Sequence, residues 1–577
     1  MTDGFKNLIK TCRDKRLCAV TAVISALYAL MLSAGYQLDT KGAFYSMKWL
    51  CTDLLLFFVP VFIISTLIFG LLKLHGKKAK DPQDGSLKNS SVKAHGKKAA
   101  KDHAVLSKNG SYKKSWIDKR LSIDWIIIFV CWIPIWLAAW PGFFCYDQSR
   151  IYKHFVNHTI STQHSPLLYF TEGLFIDVFY KLTGSYNAGI AAYVGIQMLI
   201  ISFCLAFMLH YFRRRRGIKG AVLNILTAYY ALFPVISLFS CCTVKDTFFG
   251  ISTAMTVLFL YHILINPEEF FKSKLEMAGF IVLTTFMMLC RSNARPALIL
   301  AVPFICLAVR KGYKKYAFGL LILTLIINVL IVSVGYSALQ LKRYSGKDAF
   351  CAPIQMVARA YTVDPSLFTE EETEFLKEFY GEGLYNYCPV SANGAKGEMS
   401  TQFFNAHKKE FLKIWAKVLI KAPRIAAEGF FSTNLYQWYP YGTIDAYQRL
   451  DHASYEYDQC ETSYFACYVE GPGSLDSKIP ALYNLLWKIS RFKTFQKIPV
   501  VRLFFAPAFM LWILIFTMAY LFYQKKYRLM AALMLPLLIC SSYFLGPSSL
   551  VRYYLYLFYL MGFFTCVSMD VCEQIRE

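Results

Sequence analysis

Acidic side chains are scarce in this chain of 577 residues, in which 37 Asp and Glu stand against 62 Lys and Arg. The sequence has no CxxC pair of the kind that commonly binds zinc. It also lacks the phosphate-binding patterns GxGxxG and GxxxxGKS. These absences argue against a thiolate zinc site and against a nucleotide-binding loop.

Apolar and aromatic residues are abundant instead, with 56% hydrophobic residues, 17% aromatic residues and a mean hydropathy of +0.38. This composition is typical of an integral membrane protein. The formal net charge is +25, and much of it is concentrated in short loops, where the positive-inside rule places it. The charge therefore needs no nucleic-acid partner, and we predict none.

The 17 cysteines lie mostly within apolar runs, where a thiol behaves as a small hydrophobic group. Four of them, Cys351, Cys388, Cys460 and Cys467, fall in one large polar segment. One or two disulfides are compatible with their number if that segment faces an oxidising compartment.

Residues 1–75 contain two apolar runs, Leu17–Tyr36 and Met47–Leu74, which we interpret as two transmembrane helices. A signal peptide would also begin with basic residues, but the long first run and the immediate second one favour uncleaved helices. Residues 76–120 are basic, rich in Gly and Ser, and without apolar periodicity. They are predicted to form a disordered cytoplasmic linker on anionic lipid, or a loop that only sets the topology.

Placing this linker in the cytoplasm determines the side of the segments that follow. The apolar helix Asp124–Trp140 then carries Asp147 to the outer side, and Arg213–Arg216 mark the next inner end. Only one span, Asn187–Phe212, fits between them. The amphipathic segment Ser165–Leu182 is therefore predicted to lie along the outer surface as an interfacial helix.

The same alternation predicts an all-α membrane protein with about twelve transmembrane helices and both termini in the cytoplasm. Residues 121–339 form a transmembrane core with an outer loop at 141–187, and residues 501–577 supply three C-terminal helices. Residues 340–500 are predicted to form a mostly helical extracytoplasmic domain, because two of its stretches have helical apolar spacing. These two stretches are Thr369–Phe379 and Thr401–Leu419. The spans predicted after the N-terminal pair are Asp124–Trp140, Asn187–Phe212, Ile218–Phe239, Phe248–Ile265, Leu275–Cys290, Pro296–Val309, Tyr316–Leu339, Arg502–Tyr523, Leu529–Leu545 and Tyr553–Val571.

Five charged residues lie at predicted outer helix ends, against the usual bias of membrane proteins. They are Lys245, Asp246, Arg291, Arg295 and Arg552. Each could be an anchor at the membrane surface, but five together beside Asp147 favour a shared polar cavity. Cations that face one or two acids are what a phosphate-bearing donor and a catalytic base require.

The order of these features resembles the GT-C superfamily of polytopic membrane glycosyltransferases. The likeness is to the protein mannosyltransferase and lipid A aminoarabinose transferase branch, and to a related Gram-positive membrane family of unknown function. It covers about residues 120–570 and depends on four stretches. These are WPGFFCYDQ with Asp147 and Gln148, QHSPLLYFTEGLFIDVFYKLTG with His164, the run from Pro234 to Asp246, and the late loop with Pro547, Arg552 and Tyr553.

The chain departs from that family at two points. Gln148 follows the first acid, where many mannosyltransferases have an Asp-Glu pair, so a second carboxylate would come from Asp246. The family's arginine at the start of the next membrane helix is absent from Gly189–Tyr193, where the sequence is GIAAY.

The resemblance implies transfer of a sugar from a polyprenyl-phosphate carrier to an extracytoplasmic acceptor, by inverting single displacement, in a bacterial plasma membrane. The acceptor could be a wall polymer, a lipid or a protein. Asp147 would be the general base, with Asp246 as the second catalytic carboxylate. The donor phosphate would be held by Arg291, Arg295, Arg552 and Lys245, and the substrates by Gln148, His164 and Tyr553. No cofactor is implied with certainty, and His154 and His158 near Asp147 leave a divalent metal open without assigned ligands.

Other functions share parts of this pattern. A transporter or lipid flippase would also have polar residues at helix ends. Charges or broken helices near mid-membrane and internal repeats are then expected, and the sequence shows neither clearly. A polymerase of envelope polysaccharide would share the many spans and the large outer loop. A scaffold that binds the lipid carrier without catalysis is a third alternative.

Overall fold

The computed structural model describes residues 3–44, 47–80, 119–162, 164–341, 347–441, 465, 467–492 and 498–570. Most of the predicted linker at 76–120 lies outside these ranges, as does Cys460. Cys351, Cys388 and Cys467 are all buried. Within the described ranges the chain is nearly all helical, with isolated β-bridges and no strand.

The helices of the first half alternate with short connections. They are α1 (Asp3–Cys12), α2 (Lys15–Lys41), α3 (Met47–Lys80), α4 (Lys119–Ala138), α5 (Gln148–Val156), α6 (Pro166–Thr183), α7 (Tyr186–Arg216), α8 (Gly220–Leu232), α9 (Pro234–Ser240), α10 (Lys245–Ile265), α11 (Pro267–Lys272), α12 (Lys274–Cys290), α13 (Ala294–Ala308) and α14 (Lys314–Leu330). A π-helical turn, Ile331–Gly335, continues α14 into the short α15 (Tyr336–Ala338).

The second half begins with shorter helices and returns to long apolar ones. They are α16 (Cys351–Val363), α17 (Glu370–Tyr380), α18 (Ala392–Gly397), α19 (Thr401–Lys421), α20 (Pro423–Thr433), α21 (Leu435–Trp438), α22 (Pro480–Phe492), α23 (Pro499–Phe505), α24 (Pro507–Tyr523), α25 (Tyr527–Tyr543), α26 (Leu555–Tyr559) and α27 (Met561–Met569). The predicted helices at Thr369–Phe379 and Thr401–Leu419 are present as α17 and α19. Thr369 and Glu372 form a capping box at the start of α17.

Several of these helices are long and apolar enough to cross a membrane, which indicates a membrane protein. Six of the described helices meet that requirement, or up to eight if each of two bent pairs is one span. The bent pairs are α8 with α9, at 52°, and α23 with α24, at 76°. In both pairs a proline begins the second helix and ends the backbone hydrogen bonding of the first. The count of twelve spans stays a prediction.

The predicted surface segment Ser165–Leu182 is present as α6 and is not among the described helices that qualify as spans. It turns back through Gly184, whose φ of 71° suits glycine, and packs along α7. The two helices approach closely at Gly189, where an added Cβ would lie 2.7 Å from the Cα of Ile176. This contact explains the small residue in the GIAAY stretch.

Helix α10 lies at the centre of the main apolar core and contacts α7, α12, α25 and α26. Its first turn carries Lys245 and Asp246. The opposite end of the bundle is held by ion pairs from the basic end of α7. Arg213 binds Asp124 at 2.6 Å, and Arg216 binds Asp570 at 2.6 Å. The functional groups predicted from the sequence therefore gather at one end of the core.

Candidate active site

The segment after α4 pairs with the segment before α10. The backbone N–H of Phe143 donates to the carbonyl of Cys241 at 2.9 Å, and the N–H of Thr243 donates back to the carbonyl of Phe143 at 3.1 Å. This short parallel bridge joins two segments about 100 residues apart in the chain. It brings the loop that carries Asp147 next to the helix start that carries Asp246.

Asp147 occupies the N-cap position of α5, directly after Tyr146, whose φ of 65° lies in the left-handed region. Its carboxylate makes no capping hydrogen bond and instead accepts from Nη2 of Arg150 at 2.7 Å. The Asp147 side chain keeps 40% of its surface accessible. The carboxylate is therefore held by one partner and is open to a substrate.

Three contacts hold the loop around Asp147 in place. The buried Gln148 donates from Nε2 to the carbonyl of Thr243 at 3.0 Å. The N–H of Ser149 donates to Oε2 of Glu470 at 2.8 Å, and the N–H of Tyr146 donates to the hydroxyl of Tyr468 at 2.6 Å. The side chain of Gln148 therefore holds the Asp147 loop to the segment before α10.

Asp246 is 1% exposed and lies between two arginines. Arg291 binds its Oδ1, and Nε of Arg552 lies 3.7 Å from its Oδ2. Both arginines are largely buried, with 13% of each side chain accessible. Within the described part of the chain, neither Oδ2 of Asp246 nor Nε of Arg552 has a hydrogen-bond partner, so this side of the cluster retains unused hydrogen-bonding capacity.

Tyrosine rings hold the two guanidinium groups from the side. Arg552 lies 3.9 Å from the ring centroid of Tyr146, and Arg291 lies 4.2 Å from that of Tyr553. These distances are typical of cation–π contacts. Because Tyr146 directly precedes Asp147, the contact with Arg552 connects the Asp246 cluster to the loop that carries Asp147.

A cavity of about 530 Å³ opens beside the cluster. Its wall includes His164, Lys245, Arg291 and Arg295, together with residues from the π-helical turn after α14. Arg295 is oriented by its Nε, which donates to Oδ1 of Asn328 at 2.7 Å. This wall therefore presents three cations and one imidazole to the cavity.

The charges around Asp147 determine which groups are ionised. Burial raises the pKa of the Asp147 carboxyl, but the nearby His164, together with Arg552, Arg150 and Lys245, outweighs it and holds that pKa below its ordinary value. Burial and the nearby Lys245 lower the pKa of His164 to about 3. At neutral pH Asp147 is a carboxylate and His164 is a neutral imidazole, whose Nε2 lies 3.3 Å from Nη2 of Arg150.

The sequence-predicted residues fall into three groups in the structure. Asp246, Arg291, Arg552 and Tyr553 form the buried cluster. His164, Lys245 and Arg295 line the cavity together with Arg291, which belongs to both groups. Asp147 and Gln148 lie in the adjoining loop. Asp147, Asp246, Arg291 and Arg552 were expected to open into one cavity, but of these four only Arg291 lines this cavity. Asp246 adjoins it through its ion pair with Arg291, and Arg552 through Asp246.

Sequence reasoning did not assign roles to Tyr146, Glu470, Tyr543 or Asn328. Tyr146 and Tyr543 contact the arginines, Glu470 fixes the loop, and Asn328 orients Arg295. An asparagine inside the apolar run of α14 was the one available signal, because a buried amide needs a hydrogen-bonding partner. The other contacts depend on folding and have no local sequence pattern.

The structure also places the histidines considered for a metal. Nδ1 of His154 contacts Oγ1 of Thr159 at 2.8 Å, and His158 is exposed on the following turn. Across the described part of the chain, no group of three or more His, Cys, Asp or Glu side chains is arranged to hold a metal ion.

Residues 157–576 match the model of a family of unknown function, DUF6020, and the chain belongs to that family. No curated protein matches the chain, and no solved structure matches it. The match begins just after Asp147 and includes the Asp246 cluster and the cavity wall. The family description names no activity.

Proposed function

We propose that this protein is a GT-C-type glycosyltransferase of a bacterial plasma membrane. It would move a sugar from a polyprenyl-phosphate carrier to an extracytoplasmic acceptor. The observation that supports this most is the convergence of Arg291 and Arg552 on Asp246, beside a cavity with two further cations and next to the open carboxylate of Asp147. A cationic wall beside an ionised acid suits an anionic donor and an acceptor that must lose a proton.

In this proposal Asp147 is the general base. Its carboxylate takes the proton of the acceptor hydroxyl as the oxygen attacks the anomeric carbon, and the phosphate leaves on the opposite face with inversion. The lowered pKa of Asp147 keeps it ionised and ready to accept the proton. Its accessible side chain leaves room for the acceptor, and general-base help of this kind contributes about 10²–10⁴-fold in rate.

The leaving phosphate is assigned to the cations of the cavity wall. Arg291 and Arg295 offer planar guanidinium groups, which suit phosphate oxygens, and Lys245 adds a compact charge. The Nε–H of Arg552 has no hydrogen-bond partner among the described residues, so it could donate to a phosphate oxygen. Asp246 keeps the arginines in position before the donor binds and offsets part of their mutual repulsion.

The topology belongs to the same proposal. It has twelve spans and both termini in the cytoplasm. In this count α8 and α9 together form one bent span, and α23 and α24 together form another. The site then faces the outer side and α6 lies along the outer surface. The opposite end, where Arg213 binds Asp124 and Arg216 binds Asp570, faces the cytoplasm, in keeping with the positive-inside rule.

The experiment is mass spectrometry of envelope glycans and of polyprenyl-phosphate sugar pools. It compares the wild type, a deletion, Asp147→Asn and the control Asp177→Asn at matched membrane levels. Asp177 lies on α6 in a surface pair with Lys181 at 2.8 Å and takes no part in the cluster. We expect the deletion and Asp147→Asn to lose the same modification and to accumulate the same charged carrier, while Asp177→Asn resembles the wild type.

Two outcomes would contradict the proposal in different ways. If Asp147→Asn matches the wild type while the deletion loses a modification, Asp147 is not the base. If the deletion changes neither the glycans nor the carrier pools, the protein is not a transferase of this class, and transport or scaffolding explains the site better.

A further inference from the structure

Two buried cysteines lie beneath the loop that carries Asp147. The Sγ atoms of Cys145 and Cys242 are 3.0 Å apart, although the residues are separated by 97 positions in the chain. Cys145 is 0% exposed and Cys242 is 1% exposed. A disulfide bond is about 2.05 Å long, so the two sulfurs need to approach by only about 1 Å to bond.

The backbone around the two thiols is held in register independently of any bond between them. The bridge between Phe143 and Cys242 fixes one side. On the other, Nε2 of the buried Gln197 donates to the carbonyls of Ser240 and Cys242, both at 2.8 Å. The side chain of Gln148 adds its bond to Thr243 at 3.0 Å. These contacts keep the sulfurs together, so the pairing needs no rearrangement of the loops.

We propose that Cys145 and Cys242 form a disulfide in the mature protein. The bond would join the loop before α5 to the segment before α10 and so tie together the two acid-bearing parts of the site. Cys145 precedes Asp147 by two residues, and Cys242 precedes Asp246 by four. The oxidising environment that the bond requires follows from the proposed topology, which places this end of the bundle outside.

Oxidation proceeds by thiol–disulfide exchange with an extracytoplasmic oxidoreductase in its disulfide form. The thiolate of one cysteine attacks a sulfur of that disulfide and gives a mixed disulfide. The second cysteine, after losing its proton, attacks its partner's sulfur and forms the Cys145–Cys242 bond. The protein loses two protons and two electrons, and the oxidoreductase leaves as a dithiol. Since both thiols are buried in the folded chain, the exchange takes place while the chain is still folding.

The bond would make Cys145 and Cys242 positioning residues rather than catalytic ones. Without it, the two acid-bearing segments are held only by hydrogen bonds and packing. The disulfide would close a loop between two residues 97 positions apart in the chain. Closing a loop lowers the conformational entropy of the unfolded state, and this effect grows with the length of the loop.

The test is a two-step labelling of the full-length protein in its own membranes. Thiols are first blocked with N-ethylmaleimide under denaturing, non-reducing conditions. The sample is then reduced, labelled with a second, isotopically heavy maleimide, digested with pepsin and analysed by mass spectrometry. We expect Cys145 and Cys242 to carry almost only the heavy label, and an unreduced digest to contain their linked peptides. In Cys242→Ser, Cys145 should change to the light label.

The neighbouring Cys241 is the internal control. It is equally buried, but its Sγ faces Sδ of Met198 at 3.8 Å, so we expect it to carry the light label. Light label on both Cys145 and Cys242 of the wild type would overturn the disulfide. A linked peptide that joins Cys145 to Cys241 would overturn the pairing. Because none of these measurements depends on sugar transfer, failure of the disulfide and failure of the proposed function are separate results.

Discussion

The Nε of Arg552 lies 3.7 Å from Oδ2 of Asp246, and neither atom has a hydrogen-bond partner among the residues that the structure describes. The pair is therefore held by charge alone, while the other oxygen of Asp246 binds Arg291 directly. Burying this charged pair costs free energy unless another group accepts a hydrogen bond from the Nε–H of Arg552. An anionic ligand that accepts a hydrogen bond from Arg552 would complete it, which is one reason for proposing a phosphate-bearing donor at this cluster.

Asp246→Asn should destabilise the folded protein strongly. The change leaves two largely buried arginines without their shared counter-charge, and breaking such a pair typically costs about 3–5 kcal/mol. The measurement is the midpoint of unfolding in detergent by denaturant or heat. Asp177→Asn, which breaks a surface pair with Lys181, serves as the control and should cost less than about 1 kcal/mol. Equal stability of the two variants would contradict the central role of Asp246.

Asp147→Asn should behave in the opposite way, with a large loss of activity and little loss of stability. Its pair with Arg150 is partly exposed, so losing it should cost less than about 1 kcal/mol, while losing a general base should lower the transfer rate about 10²–10⁴-fold. The measurements are sugar transfer in membranes and the unfolding midpoint of the same preparations.

Arg150→Gln is the matched variant for this prediction. It removes the same ion pair and keeps the carboxylate of Asp147. Its transfer rate should therefore fall by less than about 10-fold, far less than the fall expected when a general base is lost. If Arg150→Gln and Asp147→Asn lose the same activity, the ion pair and not the base explains the effect.

His164 should make the stability depend on pH below neutrality. Its pKa is about 3 in the folded protein, against about 6.5 when unfolded, so the unfolded chain binds a proton that the folded one excludes. Above pH 6.5 the imidazole is neutral in both states, so keeping it neutral costs no free energy of unfolding. As the pH drops from 6.5 towards 3, only the unfolded chain gains the proton, and the free energy of unfolding falls. At pH 5 the loss from this group is about 2 kcal/mol relative to pH 7.

The measurement for His164 is the unfolding midpoint of the wild type and His164→Gln at pH 7 and pH 5. The variant should lose less stability than the wild type over this interval. His158→Asn is the control, because His158 is exposed and its left-handed φ of 52° is tolerated by asparagine. If the wild type and His164→Gln lose equal stability between pH 7 and pH 5, His164 is not held neutral in the folded protein.

Tyr146 should contribute to activity through the contact of its ring with Arg552. Its ring supports Arg552 at 3.9 Å, a contact worth about 0.5–2 kcal/mol, or roughly 2–30-fold in rate if it positions the arginine for transfer. Tyr146→Leu should show this loss and Tyr146→Phe should retain most activity. The measurement is the transfer rate at matched protein levels, and a loss in Tyr146→Phe as large as in Tyr146→Leu would exclude the cation–π explanation.

Much of the secondary structure could be predicted from local pattern. The apolar spacing of Thr401–Leu419 predicted α19, and that of Thr369–Phe379 predicted α17. The placement of cations at helix ends pointed to the residues that now gather around Asp246. Pro234 lies within the predicted span Ile218–Phe239, but the angle of 52° between α8 and α9 depends on packing and has no local sequence pattern.

The amino-acid sequence by itself determined that this chain has several membrane-length apolar helices, because hydropathy and helical periodicity are local properties. It also determined which charges stand at their ends. Only the tertiary structure decided that Phe143 pairs with Cys242, that Glu470 holds the loop of Asp147, and that Tyr146 supports Arg552. These contacts join residues about 100 to more than 400 positions apart, and no local pattern encodes which distant segments meet when the core closes.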